Sequence, residues 1–263
     1  MDLFSLPRLG VVVPPENPTA EPEFNRLIGA ATHVYTSRFP TTPGVGLREM
    51  LETYNRVLPD TIEGFGAMRL DAAVVACSAS HYLLDPEGDL ALCEEMSNRF
   101  GFPVTSSTQA ILAACEELGV SRLTLVSPYQ RWLTDTSRAF WERAGLTVDG
   151  VVLVPAGQTP DGADHFDPYE VTPGRIRERI RVYQQEYRLP DDSALLFTGT
   201  GMGTLAALAE LAREDSSGRP LLSSNLASAW WARRVTGQRT GPGPTGEVHP
   251  LLRRLDVRGR WAA

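Results

Sequence analysis

The feature that most constrains the fold is a regular alternation of short apolar runs with helical patterns along the whole chain. The runs that read as buried strands lie at 9–13, 72–76, 123–127 and 194–197. Each of them is followed by a segment with helical periodicity. Such β-α-β alternation predicts an α/β protein in which parallel strands are covered by helices on both faces.

The order of these elements repeats in the second half of the chain. The corresponding segments are 10–31 with 123–144, and 72–99 with 194–213. The repeat predicts two pseudo-symmetric lobes, 1–105 plus 221–263 and 106–220, each a parallel sheet flanked by helices. Because parallel strands bind ligands beyond their C-terminal ends, two facing lobes would enclose one site at their interface.

Composition excludes several classes of function. The net charge is −7 and basic residues form only short Arg pairs, so a phosphate-tracking surface for nucleic acid is not expected. All 25 cations are arginine, which excludes a lysine Schiff base, lysine-bound pyridoxal phosphate and a P-loop lysine. No apolar run approaches the ~18–20 residues of a membrane span, and the N-terminus lacks the pattern of a secretory signal, so we expect a cytoplasmic protein without membrane partners. Three cysteines without C-x-x-C spacing and four scattered histidines predict neither a disulfide framework nor a metal site.

Cys77 is the main candidate for chemistry because it ends a predicted buried strand and precedes small residues that open a helical segment. Free backbone N–H groups and the helix dipole would stabilise its thiolate there. The alternative is a packing role, since free cysteine is among the most buried residue types. Cys93 and Cys115 lie inside helical patterns and are interpreted as packing residues. His81, one turn after Cys77, either tunes the thiol or is an ordinary core or surface histidine.

Three further turns would converge on the same site, at 14–19, 127–129 and 198–203. Asn17 and Tyr129 occupy equivalent turns, where each could donate a hydrogen bond to a carboxylate or simply serve as a turn residue and a half-buried aromatic. The glycine-rich turn at 198–203 fails the G-x-G-x-x-G pattern of dinucleotide loops and is better interpreted as a cradle of backbone N–H groups for a small anion. The alternative hypothesis of a nucleotide-binding α/β protein is supported by this turn alone.

These turns together resemble the aspartate/glutamate racemase superfamily, and within it the branch of maleate cis-trans isomerases and arylmalonate decarboxylases. The segments that carry the resemblance are 10–21, 74–78, 106–110, 118–123, 126–129 and the turn Gly199-Thr200. The resemblance implies a small carboxylate substrate and no metal or organic cofactor. It also implies that Cys77 is the nucleophile or base and that Asn17 and Tyr129 hold a substrate carboxylate. Backbone N–H groups that would cradle a carboxylate belong to Ser78, Ala79, Thr200 and Gly201.

The sequence departs from the superfamily at Gly199, where racemases and isomerases usually carry a second cysteine. Two-base racemisation needs an acid and a base on opposite faces of the carbon, so this activity is placed in doubt. The decarboxylase branch keeps the second-lobe cysteine and lacks the first, which is the reverse pattern. The favoured hypothesis is therefore cis-trans isomerisation of a small unsaturated diacid by addition of the Cys77 thiolate.

Other functions remain open at this point. They are a one-cysteine decarboxylase or lyase, a racemase, and a carboxylate-binding relative without catalysis. The sequence leaves the substrate and the formation of a homo-oligomer open. It does predict that the segment 39–47, rich in proline and glycine, forms a loop over the site that contacts the substrate.

Overall fold

The computed structural model describes residues 6–29, 31–215, 218–240 and 248–255. The strands are β1 (Arg8–Val13), β2 (His33–Arg38), β3 (Ala72–Val75), β4 (Val104–Ser106), β5 (Arg122–Ser127), β6 (Thr147–Leu153), β7 (Gly157–Gln158), β8 (Asp164–His165), β9 (Ala194–Phe197) and β10 (Leu221–Ser223). The helices are α1 (Ala20–Ile28), α2 (Leu47–Arg56), α3 (Leu58–Glu63), α4 (Ser78–His81), α5 (Pro86–Phe100), α6 (Ser107–Leu118), α7 (Arg131–Arg143), α8 (Pro173–Glu186), α9 (Leu205–Glu214), α10 (Ser224–Thr240) and α11 (Pro250–Arg253).

Two four-stranded parallel sheets form the framework, with the orders β2-β1-β3-β4 and β6-β5-β9-β10. Read in this direction, the two sheets have equivalent strands at every place, which confirms the predicted pair of pseudo-symmetric α/β lobes. Val12 pairs with Val75 in the first sheet, and Val126 pairs with Phe197 in the second. Cys77 and Gly199 each lie two residues beyond these pairs, so they occupy equivalent positions.

The central strands form the core because they are apolar on both faces. Every residue of β3 and β9 is buried, as expected for strands that helices cover on both sides. The equivalent helices α6 and α10 pack against each other, and α10 also contacts α1 and β3. We therefore propose that α10 be counted with the first lobe, whereas β10 pairs with β9 and belongs to the second sheet. Residues 241–247 and 256–263 of the assignment 221–263 lie outside the described residues.

None of the helices in the described ranges is both long enough and apolar enough to cross a membrane.

Candidate active site

A cavity of about 100 Å³ lies where the strands β1, β3, β5 and β9 end. Among the residues singled out from the sequence, those that line it are Cys77, Ser78, Ala79, Tyr129, Thr200 and Gly201. Pro14 and Pro128 of the predicted turns also line it. The wall further contains residues that sequence reasoning did not assign to the site, namely Met50, Leu51, Tyr54, Gln130, Leu133, Phe166, Pro168 and Tyr169. Within the described part of the chain, no lining side chain carries a formal charge at neutral pH.

Cys77 is the N-cap residue of α4 and only 3% of it is exposed. Burial raises the pKa of its thiol, and hydrogen bonds with Ser80 oppose this effect without reversing it. The sequence led us to expect a stabilised thiolate from the helix position. The apolar surroundings outweigh that effect, since removing a thiolate from water disfavours the charged form. At neutral pH, Cys77 is therefore a protonated thiol.

Ser78 and Ala79 present backbone rather than side-chain groups to the cavity. The Ser78 hydroxyl donates to Ser224 Oγ at 3.0 Å, on α10. The N–H groups of both residues belong to the first turn of α4, where no intrahelical acceptor is available. These two donors next to the thiol can bind a carboxylate oxygen.

His81 is the last residue of α4 and does not line the cavity. Its Nδ1 is 2.5 Å from Asp89 Oδ1, and both side chains are buried. Burial alone would raise the pKa of Asp89, but His81 and the hydroxyls of Thr108 and Ser106 outweigh burial and lower it. This cluster joins α4 to α5 and to the start of α6, so His81 anchors the helix that follows Cys77.

Gly199 differs from its counterpart Cys77 in conformation as well as in side chain. Its φ of +91° is rarely adopted by residues with a side chain. A Cβ atom built on Gly199 would stand 2.6 Å from the hydroxyl oxygen of Tyr129. The Tyr129 side chain thus fills the space that a second-lobe thiol would need.

Tyr129 brings its hydroxyl into the cavity near Cys77. Burial raises its pKa well above the ordinary value, and the neighbouring Tyr82, Cys77 and Tyr169 add to this shift. Its hydroxyl has no hydrogen-bond partner among the described residues. It is therefore a protonated donor that a bound anion can use.

The turn at Thr200 and Gly201 is hydrogen-bonded to the first lobe through the Thr200 side chain and through its carbonyl groups. The Thr200 hydroxyl donates to the Ala76 carbonyl at 2.7 Å and accepts from Asn17 Nδ2 at 3.2 Å. The Thr19 hydroxyl donates to the Gly201 carbonyl at 2.7 Å. With these groups occupied, the backbone N–H groups of Thr200 and Gly201 are left without an acceptor among the described residues and remain available to a ligand.

Asn17 does not line the cavity. Its Oδ1 accepts from the N–H groups of Thr19 and Ala20 at the start of α1, and its Nδ2 is bonded to Thr200. The residue thus joins the first turn to the second-lobe turn. Any effect of Asn17 on a ligand would pass through Thr200.

Glu23 is a buried carboxylate that sequence reasoning missed. Its Oε1 accepts from the N–H groups of Thr204 and Leu205, at 2.7 and 3.0 Å, where α9 begins. Its Oε2 accepts from Asn225 Nδ2 at 2.8 Å. Burial raises the pKa of Glu23, although these hydrogen bonds act in the opposite direction. Because the protein's own carboxylate occupies the start of α9, that helix end is not a phosphate site, which removes the basis for nucleotide binding.

Two tyrosines from outside the predicted turns complete the wall. The Tyr54 ring stacks on Phe39 with centroids 4.5 Å apart, and burial raises its pKa to about 12. The Tyr169 ring lies so close to Gly201 that a Cβ there would stand 2.3 Å from a ring carbon. The run Phe166-Asp167-Pro168-Tyr169, in which three of the four residues are aromatic or proline, is the signal that could have indicated a cavity-facing segment.

The predicted loop 39–47 reaches the cavity only at its last residue. That residue, Leu47, is the first of α2, lines the cavity and is 39% exposed. The guanidinium of Arg48 lies over the Trp132 ring of α7, 4.7 Å from its centroid, and joins the two lobes at the surface. Arg38 instead donates to the carbonyls of Pro14, Pro15 and Asn17 and holds the first turn in place.

One group of described residues has ligand atoms close enough for a metal ion. These atoms, on His165, Asp167 and Glu170, lie within 4.8 Å of one another on the outer side of the segment that carries Tyr169. His165 Nε2 is 3.4 Å from Glu170 Oε2, and Asp167 accepts the Tyr169 N–H at 2.8 Å. We assign these contacts to shaping the segment.

Comparisons with known proteins agree with this fold. The model of the family described as arylmalonate decarboxylase matches residues 9–248. Arylmalonate decarboxylase from Bordetella bronchiseptica is 25% identical over 250 residues, covering 90% of this chain and 93% of that protein. The structure of Nocardia farcinica maleate cis-trans isomerase bound to TRIS aligns with a TM-score of 0.72 and 22% identity, over 95% of this chain and 98% of that one. A cysteine-to-serine mutant of that isomerase with a covalently bound succinylcysteine intermediate aligns with a TM-score of 0.70 and 22% identity, over 88% and 92% of the two chains.

Proposed function

Because the chain belongs to the arylmalonate decarboxylase family, we propose that it is a cofactor-independent decarboxylase of a malonic acid with an apolar substituent, and that Cys77 is its proton donor. The observation that carries this proposal is a protonated, buried thiol in a cavity whose described lining is uncharged. Uncharged walls disfavour a carboxylate that has no donor, and loss of carbon dioxide moves that negative charge onto the carboxylate that is held by donors.

One substrate carboxylate is held throughout the reaction. The proposed donors are the N–H groups of Ser78, Ala79 and Gly201 and the hydroxyl of Tyr129. The second carboxylate points into the apolar part of the cavity near Leu133 and Met50. When its bond to the α-carbon breaks, the electron pair stays as an enediolate on the held carboxylate, where fixed donors stabilise it.

Cys77 then completes the reaction. Its Sγ–H proton passes to the α-carbon, and solvent returns a proton to the thiolate. Gly199 offers no acid on the opposite face, so protonation takes place from the first-lobe side only. A malonate with two different substituents should thus give a single enantiomer.

Cis-trans isomerisation by addition of the Cys77 thiolate is the second candidate. The location of Cys77 at the N-cap of α4 favours it, as does the covalent succinylcysteine in the isomerase relative. Isomerisation keeps both carboxylates, however, and thus requires two anion sites. The lining offers backbone donors at Ser78 and Gly201 and the uncharged polar side chains of Tyr54, Gln130 and Tyr169, but no cationic side chain among its described residues to hold a second carboxylate.

Proton NMR in heavy water distinguishes the two reactions. Phenylmalonate and methylphenylmalonate should lose carbon dioxide and gain one deuterium at the α-carbon, whereas maleate should stay unchanged. Formation of fumarate from maleate without deuterium uptake would show that the reaction is isomerisation and not decarboxylation. The matched control for Cys77→Ala is Cys115→Ala, because Cys115 is buried in α6 and does not line the cavity.

A further inference from the structure

The buried pair Glu23 and Asn225 connects the first lobe to the Thr200 turn of the second. Both residues are buried, with 5% and 1% exposed. Asn225 Nδ2 carries two hydrogens, and it donates to Glu23 Oε2 at 2.8 Å and to the Thr200 carbonyl at 3.0 Å. Glu23 thereby fixes which way the Asn225 amide faces, since its carboxylate accepts and cannot donate.

The orientation of Asn225 determines that of the next peptide plane. In a planar trans peptide, the N–H of Gly201 points opposite to the Thr200 carbonyl. While that carbonyl is held by Asn225, the Gly201 N–H faces away from Asn225, and it has no acceptor among the described residues. Gly201 lines the cavity next to Cys77.

The location of a buried carboxylate close to a site for anions needs an explanation, because like charges repel. Among the described residues, no cationic side chain forms an ion pair with Glu23. Its partners are the N–H groups at the start of α9, the Thr204 hydroxyl and Asn225. We therefore infer that this carboxylate orients its hydrogen-bond partners and does not attract the substrate.

We propose that Glu23 is a positioning residue which, through Asn225 and the Thr200 carbonyl, aims the Gly201 N–H at the substrate carboxylate. The proposal rests on the carboxylate-binding role of the cavity proposed above. It makes an unusual prediction: removing a negative charge near the site should weaken the binding of an anion.

Alkylation of Cys77 tests this without turnover. Iodoacetate and iodoacetamide both form an S–CH2 bond, releasing iodide and the thiol proton, but only iodoacetate carries a carboxylate. The rate of each reagent at Cys77 is followed by peptide mass spectrometry, with Cys77→Ala as the background. The rate with iodoacetate is divided by the rate with iodoacetamide, and this ratio is divided by the same ratio for N-acetylcysteine. The normalised ratio reports a hydrogen-bond donor for a carboxylate close to the thiol.

In Glu23→Gln, the new amide N–H faces the Asn225 amide and breaks this alignment. We expect the normalised ratio to fall about tenfold, as when one hydrogen bond to a charged group is lost, with the iodoacetamide rate little changed. Glu94→Gln, on the exposed surface of α5, is the matched control and should leave the ratio unaltered.

Asn225→Ala covers the case in which Glu23→Gln does not fold. It removes the donor to Thr200 while Glu23 keeps its bonds to α9, and the ratio should fall equally. The double variant should show no further fall, because both residues act through one carbonyl.

Four results would overturn the proposal. An unchanged ratio in both variants would show that neither residue aims the donor. A higher ratio in Glu23→Gln would mean that Glu23 acts by repulsion, and an equal fall with both reagents would mean general damage. If the normalised ratio of the parent protein is already close to one, the carboxylate-binding role itself fails and this inference with it.

Discussion

The turn after β3 and the turn after β9 occupy equivalent places in the two sheets, but they offer different chemistry to the same cavity. The first provides the Cys77 thiol and is anchored from below by the His81 cluster. The second has Gly199 at that place, covered by the Tyr129 hydroxyl, and is held by its carbonyl groups. Two equivalent turns of a pseudo-symmetric frame can therefore form an asymmetric site. The first lobe provides the acid, and the second provides a turn whose carbonyl groups are fixed by hydrogen bonds.

The largest expected effect comes from removing the acid of the first turn. In Cys77→Ala, kcat/KM for decarboxylation should fall by about 10²- to 10⁴-fold, the usual contribution of a positioned general acid. Carbon dioxide release measures this, and Cys115→Ala should stay close to the parent protein. Residual activity within tenfold would mean that another group protonates the intermediate.

Placing a cysteine in the second turn, as in the first, should destabilise the protein. In Gly199→Cys, the left-handed backbone costs about 1–2 kcal/mol, and the new side chain meets the Tyr129 hydroxyl. We expect Tm to fall by about 2–8 °C, without a gain in racemase activity.

Tyr129→Phe, combined with Gly199→Cys, relieves the contact but not the backbone strain, so the double variant should recover part of the loss relative to Tyr129→Phe alone. Calorimetry gives these values. A Gly199→Cys variant as stable as the parent would show that the two turns are interchangeable.

The pH profile sharpens the assignment of Cys77 as an acid. Burial raises the pKa of its thiol, so the proton is present at neutral pH and lost only above the ordinary cysteine value of about 8.5. We expect kcat/KM to be level from about pH 6 to 8 and to fall at higher pH. Addition by a thiolate would instead make the rate rise with pH across the same window.

The smallest expected effect concerns the contact between the lobes at the entrance. Arg48→Ala removes the cation from the face of Trp132, an interaction of about 0.5–1 kcal/mol at exposed sites. KM should change by about two- to fivefold, with kcat and Tm nearly constant. Arg56→Ala, at the exposed end of the same helix, serves as the control. A large loss of kcat would place Arg48 in the chemistry.

Most of the frame could be predicted because buried parallel strands are continuous apolar runs. The exception is β2, whose residues are half-buried or exposed at the sheet edge, so His33 to Arg38 shows neither a run nor an alternation. The helix α4 was expected as the opening of a longer helical segment, but it ends after four residues.

The cavity residues that could be predicted are those that directly follow strands, because topology alone brings strand ends together. Glu23 and Asn225 could not, since 202 residues separate them and each looks like an ordinary helix residue. Tyr54 and Tyr169 come from a helix and a loop whose approach to the cavity depends on tertiary packing. Asn17 shows the converse limit: its turn was identified, but its amide is directed at Thr200.

The close approach of Tyr129 to Gly199 makes these two positions interdependent in evolution. A descendant that gains a side chain at 199 while keeping the tyrosine meets a steric conflict at 2.6 Å. A descendant that first loses the tyrosine gives up a hydroxyl of the cavity before anything replaces it. Both single-mutation paths to a second thiol thus pass through a less fit intermediate. By contrast, Met50 and Phe166 are half-buried residues of the cavity wall outside these two turns, so lineages of this protein should diversify in substrate before they change in reaction.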